Sequence, residues 1–274
     1  MGGSHRCDLT KAKNQVDRRR EPESLLLLCR TAVVEGYLVG NPLDDVTLPP
    51  DRRPRRQKKV ITPQQFSLLL ELMSEPYATL VYVATLTGLR ISELLALTWG
   101  NVHDSSISVE ARYCRGDVSC PKTNASAATI AVAPEVVARI HTLKSAVVNF
   151  KAGVATRHYP AVRASGDDDL VFQSPQSGSH LSDGNVLRRH LKPAGAKIGC
   201  AWINWQVLRR SCATWNIHAG NDVKTTQGLM RHAKVGTTLE VYAQVIESGQ
   251  KSAVAKLSDY VALMSQKTGQ ESVQ

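Results

Sequence analysis

The stretch that most limits how this 274-residue chain can fold is LPPDRRPRRQKK, Leu48 to Lys59. It holds three prolines, which lack a backbone donor and have a locked φ, and six positive charges that repel one another. It therefore reads as a linker, and the chain is expected to divide there into a short front part and a long body. Two readings stay open for the linker itself. It is a solvated tether, or a strap that lays Arg52, Arg53, Arg55, Arg56, Lys58 and Lys59 against phosphates.

The linker belongs to a wider excess of positive charge. Thirty-four Lys and Arg stand against 24 Asp and Glu, a net charge of +10 with a pI near 9.4. Such a balance favours a polyanionic partner, either nucleic acid or an anionic membrane surface. A spanning helix needs about twenty apolar residues in a row. The longest runs, SLLLLC from Ser24 and ATLVYVATL from Ala78, fall far short, so no membrane association is expected. The opening MGGSHRCDLTKAKNQ has no apolar signal core and carries Arg6 where a myristoylation signal wants Ser or Thr. A cytoplasmic location follows as the expectation. Six cysteines lie without the paired two-residue gaps of a zinc site, so free thiols are expected and no cysteine zinc site.

Periodicity organises the rest. Ser24 to Val39 has a helical look, broken at Gly36 and closed by Pro42. Structure resumes at Thr62: in TPQQFSLLLELM the threonine is a natural N-cap, Pro63 suits the first helical position and Gln65 completes a capping box. A second helix is expected from about Tyr77 to Leu86, then a turn at Gly88. A third, opened by Ser92, should run through ELLALTW. Period two then replaces period 3.6, with Ile107, Val109, Ala111 and Tyr113 alternating with polar residues. ATIAVA, from Ala128 to Ala133, supplies a partner strand, with a polar hairpin loop containing Lys122 between them. The remainder reads as mostly helical, apart from loops near RASGDDD and SPQSGSH and a short apolar LVF. Near the end, Val254, Leu257, Val261 and Met264 share one helix face, fit to pack on the body or on a neighbouring subunit. The fold class is mainly α with a small antiparallel β-sheet.

Four segments, TGLRISELLALTW (Thr87 to Trp99), PKTNAS around Lys122, QVLRRSCATW (Gln206 to Trp215) and LMRHAKVGTTLEVY (Leu229 to Tyr242), follow one another in that order. Together they resemble the catalytic domain of the tyrosine recombinases, the bacteriophage-type integrases, from about Thr62 to Lys256. The resemblance implies that family's DNA breaking-rejoining fold. It also implies cleavage and rejoining of duplex DNA through a 3′-phosphotyrosyl intermediate, without metal or high-energy cofactor, in service of site-specific recombination or integration of a mobile element. Carried over residue by residue, Arg90 and Arg209 are the phosphate-binding arginines and Lys122 is the hairpin lysine. His232 is the late histidine, Tyr242 the nucleophile and Glu93 the supporting acid. The partner implied is double-stranded DNA, bound by a homotetramer joined through the C-terminal helix. The domains that follow are an unassigned segment (1–23), a remnant of the last helix of a core DNA-binding domain (24–50), a basic linker (51–61), the catalytic domain with its C-terminal helix (62–264) and a polar tail (265–274).

Elementary chemistry asks for the same residue types. Attack on a phosphodiester spreads negative charge over nonbridging oxygens, which two permanently charged guanidiniums meet with paired donors. A tyrosine of pKa near 10 is about one part in a thousand ionised at neutral pH, so cationic neighbours must favour the phenolate. The leaving 5′-oxygen needs a proton, which a lysine with a lowered pKa can give.

Taken singly, each residue has a plainer reading. Tyr242 fits a core tyrosine flanked by Leu239 and Val245, the arginines fit surface ion pairs, Lys122 a solvated loop and His232 a hydrogen-bonded histidine. Their joint occurrence in order argues for the site. Three features depart from the family pattern. Gln206 stands three before Arg209, where histidine is usual, and its amide can hydrogen-bond a phosphate but cannot shuttle a proton. Arg231 replaces the glycine before the late histidine, implying ordinary backbone or strain, and adds charge near the DNA. The front is short for such enzymes, as if truncated. These departures keep two alternatives open: a weakened or inactive remnant acting as a DNA-binding module, and a topoisomerase-like nicking and closing enzyme. Arg210, beside Arg209, is expected among the DNA contacts and not on the phosphate itself, because helix neighbours point about 100° apart.

Overall fold

A computed structural model describes residues 20–44, 58–119, 128–152 and 155–231. Lys122, His232, Tyr242, the linker residues Arg52, Arg53, Arg55 and Arg56, and the C-terminal helix expected near Val254 to Met264 lie outside the described residues. The chain divides into two compact units, Met1–Arg56 and Gln57–Gln274.

In the first unit a helix, α1, spans Arg20–Val34. It starts before the expected Ser24 and stops short of Val39. Gly36 takes φ 79°, and the amide of Tyr37 bonds back to the carbonyl of Ala32, closing the helix with a left-handed residue that a side chain would disfavour. Beyond it Asn41 accepts from the Leu43 amide at 3.0 Å, forming the turn around Pro42.

The second unit opens as its capping signal dictates. Helix α2 spans Pro63–Glu71; Thr62 Oγ1 accepts from the Gln65 amide at 3.1 Å, and Gln65 Oε1 accepts from the Thr62 amide at 2.9 Å. Helix α3, Tyr77–Thr87, is apolar on nearly every side and buried along its length, as an all-round apolar helix must be. It packs against α2, against α5 (Pro134–Thr142) and against α8 (Trp205–His218). The core gathers Ile61, Leu69, Leu80, Leu94, Ile107, Ile140, Phe172, Ile203 and Leu208.

The third expected helix is much shorter than its pattern suggests. Helix α4 is a single turn, Ile91–Leu94, with Arg90 rather than Ser92 at its N-cap, and a 3₁₀ turn follows at Trp99–Asn101. The Glu93 carboxylate reaches back to the Arg90 amide at 2.8 Å, so the start is set by an acid three residues on.

Strands β1 (Val102–His103), β2 (Ser106–Val109) and β5 (Ala128–Ala131) form an antiparallel sheet in the order β1-β2-β5, with Ile107 opposite Ile130. The alternation does not run on to Tyr113 in one strand. Instead β3 (Arg112–Cys114) and β4 (Asp117–Ser119) form a separate hairpin, turned by Arg115 and Gly116 at φ 53° and 92°. The region after α5 also departs from its helical reading. Strands β6 (Val147–Ala152) and β7 (Ala155–Pro160) make a third small sheet, in which Phe150 meets Tyr159 edge-on at 5.7 Å. VVNFKA alternates, but a six-residue run cannot by itself choose between periods.

Helix α6 (Asp183–Val186), a π turn (Leu187–Leu191) and α7 (Lys192–Lys197) run on into a segment that brings Ile203 into the core. Helix α8 is N-capped by Asn204, whose side chain accepts from the Val207 amide at 3.0 Å. Helix α9 spans Val223–Met230, capped by Asp222 at its start and by Arg231, in left-handed conformation, at its end. The fold is mainly α with small antiparallel sheets, three among the described residues where one was expected.

Candidate active site

Helix α8 clamps the start of the second unit. Its Trp215 indole donates to the Ile61 carbonyl at 3.1 Å, and its Ser211 hydroxyl accepts from the Ile61 amide at 3.0 Å. Phe66 packs edge-on against Trp215 at 5.4 Å. These bonds set the course of the chain just upstream, so that Lys58 comes to line a cleft with Arg90, Gln206, Arg209 and Arg210. Leu89, Ile91, Trp205, Ala213 and Met230 complete its walls, and its volume is about 440 Å³.

Each cationic side chain reaches the cleft by a different local device. Arg90 follows the α3 terminus, where Gly88 adopts φ 63° and the Thr87 hydroxyl accepts from the Leu89 amide at 3.2 Å. A Cβ on Gly88 would stand 2.6 Å from the Met230 sulfur, so both backbone and space require glycine there. The side chain of Arg90 is 41% exposed, and its Nη1 donates to Glu93 Oε1 at 2.9 Å.

Arg209, in the middle of α8, donates through Nη1 to the Gly88 carbonyl and through Nη2 to the Met230 carbonyl. Met230 is the last residue of α9, so the guanidinium satisfies an end carbonyl and sits at the negative pole of that helix. Burial is the main cause that lowers its pKa to about 10, with the nearby positive charge of Arg90 adding to the effect. It stays charged at neutral pH.

Glu93 is buried, 5% exposed, and its carboxylate is shared between Arg90 and Arg231, which donates through Nη2 to Oε2. Arg231 is itself 7% exposed and takes φ 49°, ψ 48°. Expected among the DNA contacts, its guanidinium instead turns inward onto an acid 138 positions away. Of its two expected backbones the strained one is present.

Gln206 is exposed at the first turn of α8 and borders the cleft. Arg210 also borders it, although its Nε donates back to the Gln206 carbonyl at 3.2 Å. Lys59 packs its ammonium over the Trp202 ring at 5.2 Å and does not line the cleft. The structure thus brings Arg90, Gln206, Arg209, Arg210 and Lys58 together. The sequence reading missed the carbonyls of Gly88 and Met230 as the groups that aim Arg209. A turn glycine and a helix end were visible, but not that one guanidinium joins them. The roles of Trp205 and Met230 as cleft walls were missed as well.

Chemically, the cleft presents four cationic side chains, with one buried carboxylate behind them, and is suited to an anion with several oxygens. Among the described residues no cluster of His, Cys, Asp and Glu could hold a metal ion, and no helix is long and apolar enough to cross a membrane.

A model of the phage integrase family matches residues 59–248. The ICEBs1 integrase of Bacillus subtilis is 27% identical over 248 residues, covering 86% of this chain and 63% of that protein. A tyrosine recombinase XerC of Herpetosiphon aurantiacus is 26% identical over 232 residues, covering 79% of this chain and 68% of that relative. The chain spans about 63% of the length of the ICEBs1 integrase. Among solved structures, the Tn1549 transposon integrase in complex with circular intermediate DNA aligns with a TM-score of 0.63 at 21% identity, over 87% of this chain and 79% of its own. The XerA recombinase aligns with a TM-score of 0.54 at 18% identity, over 89% and 80%. At these identities the solved structures speak to the fold.

Proposed function

Because the chain belongs to the phage integrase family, we propose that it cleaves and rejoins duplex DNA in site-specific recombination, through a 3′-phosphotyrosyl intermediate on Tyr242. The observation that carries this reading is the convergence of Arg90 and Arg209, 119 positions apart in sequence, on one cleft with Gln206. In this reading the scissile phosphate lies between the two guanidiniums, which take up the charge that grows on its nonbridging oxygens. Gln206 donates an amide hydrogen to the same phosphate. It moves no proton, so proton transfer falls to His232, Lys122 or water. Lys58 and Arg210 flank the cleft and hold adjoining backbone phosphates.

The relatives support the wider setting. The Tn1549 transposon integrase was solved on circular intermediate DNA, and the ICEBs1 integrase is named for a mobile element, so we assign this chain to a mobile element and to the cytoplasm. Assembly as a homotetramer on DNA through the C-terminal helix completes the proposal.

The test is trapping. A pool of nicked duplexes of randomised sequence, incubated with the full chain, should yield a covalent protein–DNA adduct that Tyr242→Phe abolishes. Salt-dependent binding of the pool without any adduct would leave a DNA-binding module and defeat the reading.

A further inference from the structure

We propose that Arg231 is a positioning residue, which keeps Arg90 available to a phosphate by sharing its counter-ion, Glu93. This rests on the proposed function, because it assigns Arg90 to a phosphate.

Glu93 grips Arg90 at both ends. One carboxylate oxygen accepts from the Arg90 guanidinium at 2.9 Å, and the other accepts from the Arg90 backbone amide at 2.8 Å. That fixes where Arg90 starts and where its head lies. A lone carboxylate paired one-to-one with a half-exposed guanidinium would, however, cancel the charge that an anion needs. Arg231 donates to the second oxygen, and the side chains of Arg231 and Glu93 are each only 4% exposed. The carboxylate thus serves two guanidiniums, and Arg90 holds only a share of it.

Two further observations point the same way. Arg231 holds φ 49°, ψ 48°, a conformation that disfavours side chains and that glycine adopts freely, so the ion pair offsets a strained backbone. Arg231 also directly follows Met230, whose carbonyl holds Arg209. The C-terminal cap of α9 therefore fastens both cleft arginines, one through a carbonyl and one through a shared acid.

The experiment titrates inorganic phosphate into the full chain while the arginine guanidinium NMR signals are followed. In the wild type, the Arg90 and Arg209 signals should shift saturably. Arg231→Gly fits the left-handed backbone and should fold, yet weaken phosphate affinity about tenfold, as loss of a charged partner does. Glu93→Gln added to it should restore the affinity, since a neutral amide no longer cancels Arg90. A role in packing alone would give no such recovery. Should Arg231→Gly fail to fold, Arg231→Lys against Arg231→Gln carries the same comparison, with affinity kept by lysine and lost with glutamine.

Wild-type affinity in Arg231→Gly, no recovery in the double variant, or no phosphate-dependent shift of Arg90 in the wild type would each overturn the proposal. The expected phosphate pattern without a Tyr242-dependent adduct would uphold the positioning role and defeat strand cleavage. An adduct with phosphate binding unaffected by Arg231→Gly would do the reverse.

Discussion

Arg90 stands at the mouth of α4 with its side chain 41% exposed and its head on a carboxylate; Arg209 lies mid-way along α8 with its head on two backbone carbonyls. Both border one cleft, yet they are held by partners of different kinds. A carboxylate orients a guanidinium and also cancels its charge, whereas carbonyl dipoles orient it and leave the charge in place. A guanidinium has five N–H donors, so two carbonyl bonds do not exhaust it. Arg209 is therefore a rigid, desolvated cation held by carbonyl dipoles rather than by a directly bonded carboxylate. Arg90 is a solvated one whose strength depends on how Glu93 is shared.

The largest expected effect tests this asymmetry. Arg209→Ala should lower the rate of adduct formation about a thousandfold, and Arg90→Ala about a hundredfold, in single-turnover trapping. Only the Arg209 variant should also lower the melting temperature, because it leaves the Gly88 and Met230 carbonyls unsatisfied. Equal rate losses, or an unchanged melt for Arg209→Ala, would break the comparison.

Gly88→Ala probes the carbonyl side without touching either arginine. Its Cβ would meet the Met230 sulfur at 2.6 Å and the Cys212 sulfur at 3.2 Å, on a backbone at φ 63°. The expected loss is about 1–3 kcal/mol in chemical denaturation, together with slower trapping as the Gly88 carbonyl moves.

Cys212 reports on the desolvation around Arg209. Burial pushes its thiol up to about 11 from 9.0, against the lowering influence of Arg209 and Asn216. Above pH 9 the unfolded thiol sheds its proton while the folded one keeps it, so stability holds below pH 9 and falls as pH climbs through 11. Denaturation curves on either side of that window should show the decline, and Cys212→Ala should remove on the order of 2 kcal/mol of it.

The smallest effect lies away from the cleft. Thr62→Ala breaks one half of the α2 capping box and should cost about 1 kcal/mol, with trapping unchanged. A drop in trapping would mean that the α2 start positions the cleft as directly as α8 does.

Legibility follows the range of the interaction. Thr62 with Gln65 and the pairing of β2 with β5 rest on neighbouring or simply alternating residues, so the pattern names them, while the register came from the structure. The β6–β7 hairpin and the brevity of α4 were not legible. Their residues suit either period, and packing decided. In the site, the residue types at positions 90, 206 and 209 were read from motif order, and the structure brings those three to one cleft.

What the sequence determined by itself is thus the family, the capped start of α2, and the residues expected to do the chemistry. What only the tertiary structure decided is how those residues are held: Arg209 on carbonyls 121 and 21 positions away, and Arg231 turned from the surface onto Glu93. The reason is physical. A cap is closed by bonds within four residues, whereas a buried charge takes whatever partner the folded core brings within reach.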